Sequence, residues 1–378
     1  MTQERRVSRS DRKRLQSDQD GADGLKRATE DIGKGVDSGR RNSLGYAKCY
    51  AIPVGGQELL LDTPLWRQTS PAIFPVALGF MSLALGWRNA ADVMPAIPQD
   101  IGNLLLALST GYFLWFLMFY FAKVFARPAV VLEDMRTPPA RAGMASAAMC
   151  MMMLAAALLP LGIQVPLVWW TGVLMSIFAS VVVLWAIWND PPEKRHFSTF
   201  QYLTFVGPVV GPIAGIPLGY VTESILLINA SLIAWVIITL GIFLTWRRDP
   251  LPEHLRPSVM IFLAPVCLFA LGYGGLGWEG FFTFFYWLGN IMAFVMILMV
   301  PWMIKGGYTP VWAAFTFPVA AFLNVQVLAM AKGYGTMAEI GVYAGLIIGT
   351  PLILWIAYRS MMLWVTGDLA RQSHTAIA

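Results

Sequence analysis

The stretch 201–220 reads QYLTFVGPVVGPIAGIPLGY. It holds no charged residue, and it is as long as the roughly 20 residues that carry an α-helix across a bilayer. Hydrocarbon offers no water partner to a backbone group, so such a segment must be helical. Two prolines, Pro208 and Pro212, fall in its middle. Each removes a helical hydrogen bond and kinks the chain. The freed carbonyl survives in a membrane only where neighbouring protein or a water-filled cavity receives it. Gly207, Gly211, Gly215 and Gly219 recur at every fourth position and share one face. Small residues at this spacing either let helices approach closely or leave a smooth stretch of pore wall.

The rest of the chain extends this reading. Of 378 residues, 57% are hydrophobic and 13% charged, with a mean hydropathy of +0.60. A soluble domain carries about 45–50% apolar and about 25% charged residues. That contrast excludes a soluble cytosolic enzyme. From Thr69 onward ten apolar runs alternate with short polar breaks, near 70–88, 101–126, 142–161, 167–188, 201–220, 224–246, 258–274, 280–303, 310–330 and 337–364. The fold class is therefore all-α integral membrane, with ten transmembrane helices. The third and fourth runs are almost continuous, broken only by Pro160 and Pro166.

Basic residues orient the helices, because cytoplasmic loops are enriched in Lys and Arg. With the N-terminus inside, the inner segments hold Lys123, Arg127, Arg136, Arg141, Lys194, Arg195, Arg247, Arg248, Arg256, Lys305, Arg359 and Arg371, while the outer ones hold only Arg88 and Lys332. Both ends then lie in the cytoplasm. The helices pair as five hairpins closed on the outside. Residues 1–68, rich in Arg, Lys, Asp, Ser and Gly, cannot bury enough surface to fold alone. They read as a cytoplasmic tail whose charge also suits anionic lipid or nucleic acid. No nucleic-acid partner is assigned. The transmembrane domain covers 69–364, and 365–378 form a short cytoplasmic tail.

Mid-span prolines mark the first (Pro75), fifth (Pro208, Pro212), seventh (Pro265) and ninth (Pro318) runs, and the second, fourth, sixth and eighth have none within the apolar run. The third run lacks a central proline, and the tenth has Pro351. The pattern predicts that odd helices are interior and even helices face lipid. Phe74-Pro75-Val76-Ala77 recurs as Phe317-Pro318-Val319-Ala320, linking the first and ninth helices.

Charge is nearly absent from the middle of the runs. Lys123 and Arg359 sit near cytoplasmic ends, where they can snorkel, and Glu223, Glu279 and Glu339 sit near outer ends. A proton-driven pump needs an ionisable relay at mid-membrane, and the sequence shows none. A neutral path lined by apolar side chains, hydroxyls and kinked backbone suits passive or gated flow. No carboxylate ring of the kind that concentrates cations is visible. Basic loops would attract anions, although the orientation rule alone accounts for such loops. Gly272-Tyr273-Gly274-Gly275-Leu276-Gly277 matches a dinucleotide-binding glycine pattern but follows a membrane helix, so it reads as a hairpin turn. Cys49, Cys150 and Cys267 form no close pair, and His196, His254 and His374 are scattered. No metal, cofactor or enzymatic site is expected.

Ile73-Phe74-Pro75-Val76-Ala77-Leu78-Gly79, running on to Leu85-Gly86-Trp87-Arg88, resembles the first helix of the tellurite-resistance/dicarboxylate transporter family, which includes bacterial TehA proteins and the plant slow anion channel. Tyr202-Leu203 with Val206-Gly207 resembles its fifth helix. His254-Leu255-Arg256-Pro257 through Leu263-Ala264-Pro265 resembles the seventh, and Trp312 to Pro318 the ninth. The similarity covers about 70–364. It implies five hairpins around a quasi-fivefold axis, with odd helices forming a central pore. It also implies homotrimers in an inner (plasma) membrane, and a phenylalanine gate at the position of Phe317. Phe74, Pro75, Gly207, Pro208, Gly211, Pro212, Gly215, Pro265 and Pro318 are the expected pore-lining or kink residues, with Phe74 stacking beside the gate or lining the pore. The implied function is a gated anion channel or uniporter-like carrier for chloride, nitrate, malate, sulfite or tellurite. A proton-coupled C4-dicarboxylate transporter is the alternative.

Overall fold

A computed structural model describes residues 64–135, 137–189, 197–247, 251–373 and 375–377. The expected tail over 1–68 lies almost wholly outside them. Every regular element among the described residues is helical. Among the described residues, nine helices are long and apolar enough to cross a membrane: α1 (Pro71–Val93), α2 (Gln99–Ala126), α3 (Pro138–Leu161), α4 (Pro166–Asn189), α6 (Val221–Trp246), α7 (Glu253–Gly275), α8 (Glu279–Gly306), α9 (Pro310–Ala331) and α10 (Thr336–Val365). A shorter apolar helix, α5 (Tyr202–Gly215), lies between α4 and α6.

Local chemistry sets the ends. Ser70 accepts from the Ala72 amide and Pro71 opens the first turn of α1. Both features favour helix initiation. Gly162 adopts φ 75° and turns the nearly continuous 138–189 stretch into α3 and α4, since the left-handed region costs glycine little.

α5 departs most from expectation. The sequence reads as one span through residue 220, but the segment changes geometry twice: a π-turn over Tyr202–Val206, a 3₁₀ turn over Gly207–Val210 and a single α-turn over Pro212–Gly215. It stops short at a turn in which Gly219 has φ 89°. Prolines within four residues of each other deny it two consecutive regular turns. Side chains of α4 brace the segment. Opposite the missing Pro208 amide, the Thr204 carbonyl accepts from Ser180 Oγ at 2.9 Å, and the Gly211 carbonyl accepts from Trp169 Nε1 at 2.9 Å in addition to the Gly215 amide at 2.8 Å.

Burial splits by parity. The apolar windows of α1, α3, α7 and α9 are 78%, 61%, 89% and 78% buried, whereas those of α2, α4, α6, α8 and α10 are 22–39% buried. α1 packs on α3, α3 on α5, α5 on α7, α7 on α9 and α9 back on α1, so the odd helices close a ring. Each even helix packs on the odd helix before it. Leu104, Leu174, Phe178, Leu240, Phe294 and Ile348 stand outward on the even helices, as lipid contact requires. One expectation needs correction: Pro301 does lie inside an even helix, in the last turns of α8. There it sits beside the polar break at Lys305, where a distorted turn can meet water.

One end of the bundle carries a polar knot. Lys123 Nζ donates to Asp134 Oδ2 at 3.1 Å and to the Thr69 carbonyl at 3.0 Å, and both charged side chains are fully buried. Lys123 therefore does not snorkel as expected. The one-turn helix Val130–Asp134 folds a carboxylate back over it. The Ala376 amide donates to Asp134 Oδ1 at 2.9 Å, and the Ser70 hydroxyl meets those of Ser373 (2.7 Å) and Thr375 (2.6 Å).

Candidate functional site

The ring of odd helices encloses a cavity of about 330 Å³. Its wall draws on all five: Ser82 and Leu85 of α1, Met153 of α3, Ile213 of α5, Leu268 of α7, and Ala321 and Asn324 of α9. No residue of an even helix lines it. It begins at mid-helix and reaches the C-terminal ends of α1 and α9 at Val93 and Ala331.

On α9 the lining starts at Ala321, one turn beyond Phe317. Phe317, Ala321, Asn324, Leu328 and Ala331 follow the three-and-four spacing that keeps residues on one helix face. Phe317 therefore lies on the same face of α9 one turn before the lining begins, and it is 7% exposed. The backbone there is held tightly. A Cβ on Gly79 would fall 2.4 Å from Thr316 Cβ and 2.7 Å from the Phe317 nitrogen, so only glycine lets α1 and α9 come this close. Thr316 Oγ1 sits 2.7 Å from the Ala313 carbonyl and 3.2 Å from that of Pro75. Asn324 Nδ2 donates to the Ser82 and Ala320 carbonyls, each at 2.8 Å. These bonds clamp α1 and α9 together, the Thr316 bonds beside Phe317 and the Asn324 bonds in the cavity wall.

The lining has one charged residue, Asp92. It lies at the open end, and its carboxylate accepts from Arg88 Nη1 at 2.6 Å. The rest of the wall is apolar side chains, the Ser82 hydroxyl and the Asn89 and Asn324 amides. The chamber is therefore neutral apart from one paired carboxylate, and largely apolar. The voltage-dependent anion channel (SLAC1) family model matches residues 68–363, which takes in every helix of the ring. The chain belongs to the SLAC1 family. No curated protein matches it. SLAC1-family membership implies anion channel or transporter activity in a multi-pass membrane protein.

Within this SLAC1-family protein the expected site residues separate into two groups. Pro212, Pro265 and Pro318 lie next to, or one turn below, the lining residues Ile213, Leu268 and Ala321. Pro75 offers its carbonyl to Thr316. These prolines adjoin the lining residues without lining the cavity themselves. The second group lies away from this cavity. Phe74 is fully buried, but its ring packs edge-on against Phe113 (6.2 Å) and Tyr120 (5.9 Å) of α2. It faces the outer ring, not the cavity. Gly207, Gly211 and Gly215 do not line the cavity either. A Cβ at these positions would meet Met149 Sδ at 2.7 Å, Leu227 Cδ1 at 2.7 Å and Ser224 Oγ at 2.6 Å. The glycine face is a close-packing face against α3 and α6, with Trp169 of α4 also 2.7 Å from the Gly215 position. Pro208, half-buried, breaks the helix between these contacts.

Sequence reasoning missed Ser82, Asn89, Asp92 and Asn324 as wall residues. Their signal was polar side chains on the interior face of α1 and α9. It also missed a neutral network outside the cavity, in which the fully buried Gln326 accepts from the Tyr286 hydroxyl at 3.3 Å and donates to Asn290 Oδ1 at 3.1 Å. Among the described residues no cluster of His, Cys, Asp or Glu could hold a metal ion.

Proposed function

We propose that the protein is a gated anion channel or uniporter-like carrier whose path runs through the ring of odd helices and is closed by Phe317. The observation that carries this reading is the cavity: all five odd helices wall it, its single lining charge is neutralised by Arg88, and it ends one turn above Phe317 on the same face. In this reading α5 serves as the tenth span, the ten helices form five hairpins around a quasi-fivefold axis, and both termini are cytoplasmic. The protein sits in the plasma membrane as a homotrimer with one path per protomer, and residues 1–68 are its cytoplasmic tail. Small inorganic or organic anions are the cargo. An apolar ring closes such a path because a hydrated anion cannot shed its water against it.

The alternative, a proton-coupled C4-dicarboxylate carrier, needs a titratable relay at depth. Asp92 stands at the open end and the Lys123–Asp134 pair at the opposite end of the bundle, so neither sits where such a relay is needed. Liposome flux of chloride, nitrate, malate and sulfite, with and without a pH gradient, separates the two. Flux of several anions that ignores the gradient supports the channel. Uptake of malate alone that collapses without the gradient overturns it.

A further inference from the structure

Arg88 and Asp92 form the part of the cavity for which a neutral path has no use. They lie four residues apart in the last turns of α1. The Asp92 side chain is 57% exposed and lines the cavity, while the Arg88 side chain is only 11% exposed. The guanidinium has a second partner: the Gln99 amide of α2, oriented with its oxygen toward Arg88, accepts from Nη1 and Nη2 at 2.5 Å each. The backbone behind it is fixed as well, since a Cβ on Gly102 would come within 2.8 Å of the Arg88 Cα and nitrogen. A guanidinium so placed is a built element rather than a free surface arm.

Its setting gives it work to do. The C-terminal ends of α1 and α9 meet at this mouth, and helix C-termini carry partial negative charge. That charge repels an arriving anion, and so does the Asp92 carboxylate. Lys332, one residue past the lining, is occupied by Glu279 at 2.5 Å. Arg88 is the cation bonded directly to a wall residue.

We propose that Arg88 is the anion-capture residue of the open vestibule, and that Asp92 is an internal competitor which an incoming oxyanion must displace from it. This rests on the permeation reading above. Displacing Asp92 frees an Nη1 N–H beside the Gln99 contact, and this directional, charge-assisted donor suits a carboxylate or nitrate oxygen better than a spherical halide, so the preferred ligand class is a small planar oxyanion. Asp92 lowers the site's affinity, which keeps captured anions mobile. Only ion-pair exchange occurs, and no bond forms or breaks.

The test is bilayer recording from the full-length protein in chloride and nitrate. Asp92→Asn leaves the Arg88 charge uncompensated. At about 7 Å in water one unit charge raises local anion concentration about threefold. The current at limiting anion concentration is therefore expected to rise about threefold at low salt, and the gain is expected to vanish near 1 M salt, where screening is short-ranged. Arg88→Lys keeps the charge but removes the directional Nη1 donor, so the nitrate-to-chloride permeability ratio, read from the reversal potential, is expected to fall. An Asp92→Asn protein with unchanged current and salt dependence, or an Arg88→Lys protein with an unchanged ratio, overturns the assignment. A wild-type protein that passes no anion at all refutes the permeation reading as well. If Arg88→Lys does not fold, the half-exposed Asp92→Asn variant decides alone.

Discussion

Replacing Phe317 with alanine separates a gate from a packing residue, because the two roles predict opposite balances of stability and flow. Truncating a packed phenylalanine typically costs about 3–5 kcal/mol, much of it for the void left behind. At Phe317 the new space would join a cavity of about 330 Å³ that starts one turn away. It can hydrate instead of standing empty, so the expected loss lies below about 3 kcal/mol. Flow responds the other way. Every 1.4 kcal/mol removed from a barrier is about tenfold in rate. Relieving only about 2.8 kcal/mol of the dehydration barrier at the ring raises anion current about a hundredfold. The control is Phe269→Ala on α7, fully buried and packed against Phe285 at 5.2 Å and Trp235 at 5.8 Å. It should lose more stability and gain no comparable current. Thermal melts in detergent and single-channel recording in planar bilayers supply both numbers. A Phe317→Ala protein that melts like Phe269→Ala and conducts like wild type would refute the gate.

Further outcomes are open to measurement. Asp134→Asn removes the carboxylate facing the buried Lys123 and is expected to cost about 3–5 kcal/mol; the double variant Lys123→Met with Asp134→Leu should recover most of that in a thermal melt. Ser180→Ala deprives the Thr204 carbonyl of its donor from α4, with an expected loss of about 1–3 kcal/mol, while Ser180→Thr keeps it. Gly143→Ala places a Cβ 2.2 Å from the Pro71 carbonyl oxygen, where backbone cannot yield, whereas Gly111→Ala meets nothing within 4 Å. The first should lower the yield of folded protein sharply, and the second should leave the melting temperature unchanged.

The fold was largely legible because its signals are local. Runs of apolar residues with polar breaks marked the helices, and mid-span prolines marked interior α1, α5, α7 and α9, but they passed over interior α3 and also fall in outer α8 and α10. The reason is physical: a broken backbone bond needs a protein partner, and Ser180 supplies one for Thr204. The geometry of α5 was not legible, since Pro208 and Pro212 announce a disruption but not which turn type absorbs it. The glycine stripe admitted two readings until Met149, Leu227 and Ser224 were placed around it. Phe74 and Phe317 share a tetrapeptide, and only packing shows that Phe74 points to α2. The Lys123–Asp134 pair joins residues either side of a turn, and no helical periodicity predicts burial of both.

The knot joining Ser70 to Ser373 and Thr375 bears on how the protein is made. The partners are 303 and 305 residues apart, so a ribosome must deliver every helix of the bundle before the foot of α1 can be fastened. Until then the first hairpin waits in the bilayer with Ser70 and one face of Asp134 lacking their final partners. Quality control that samples nascent membrane proteins would meet this unfinished state throughout synthesis of α1 to α10.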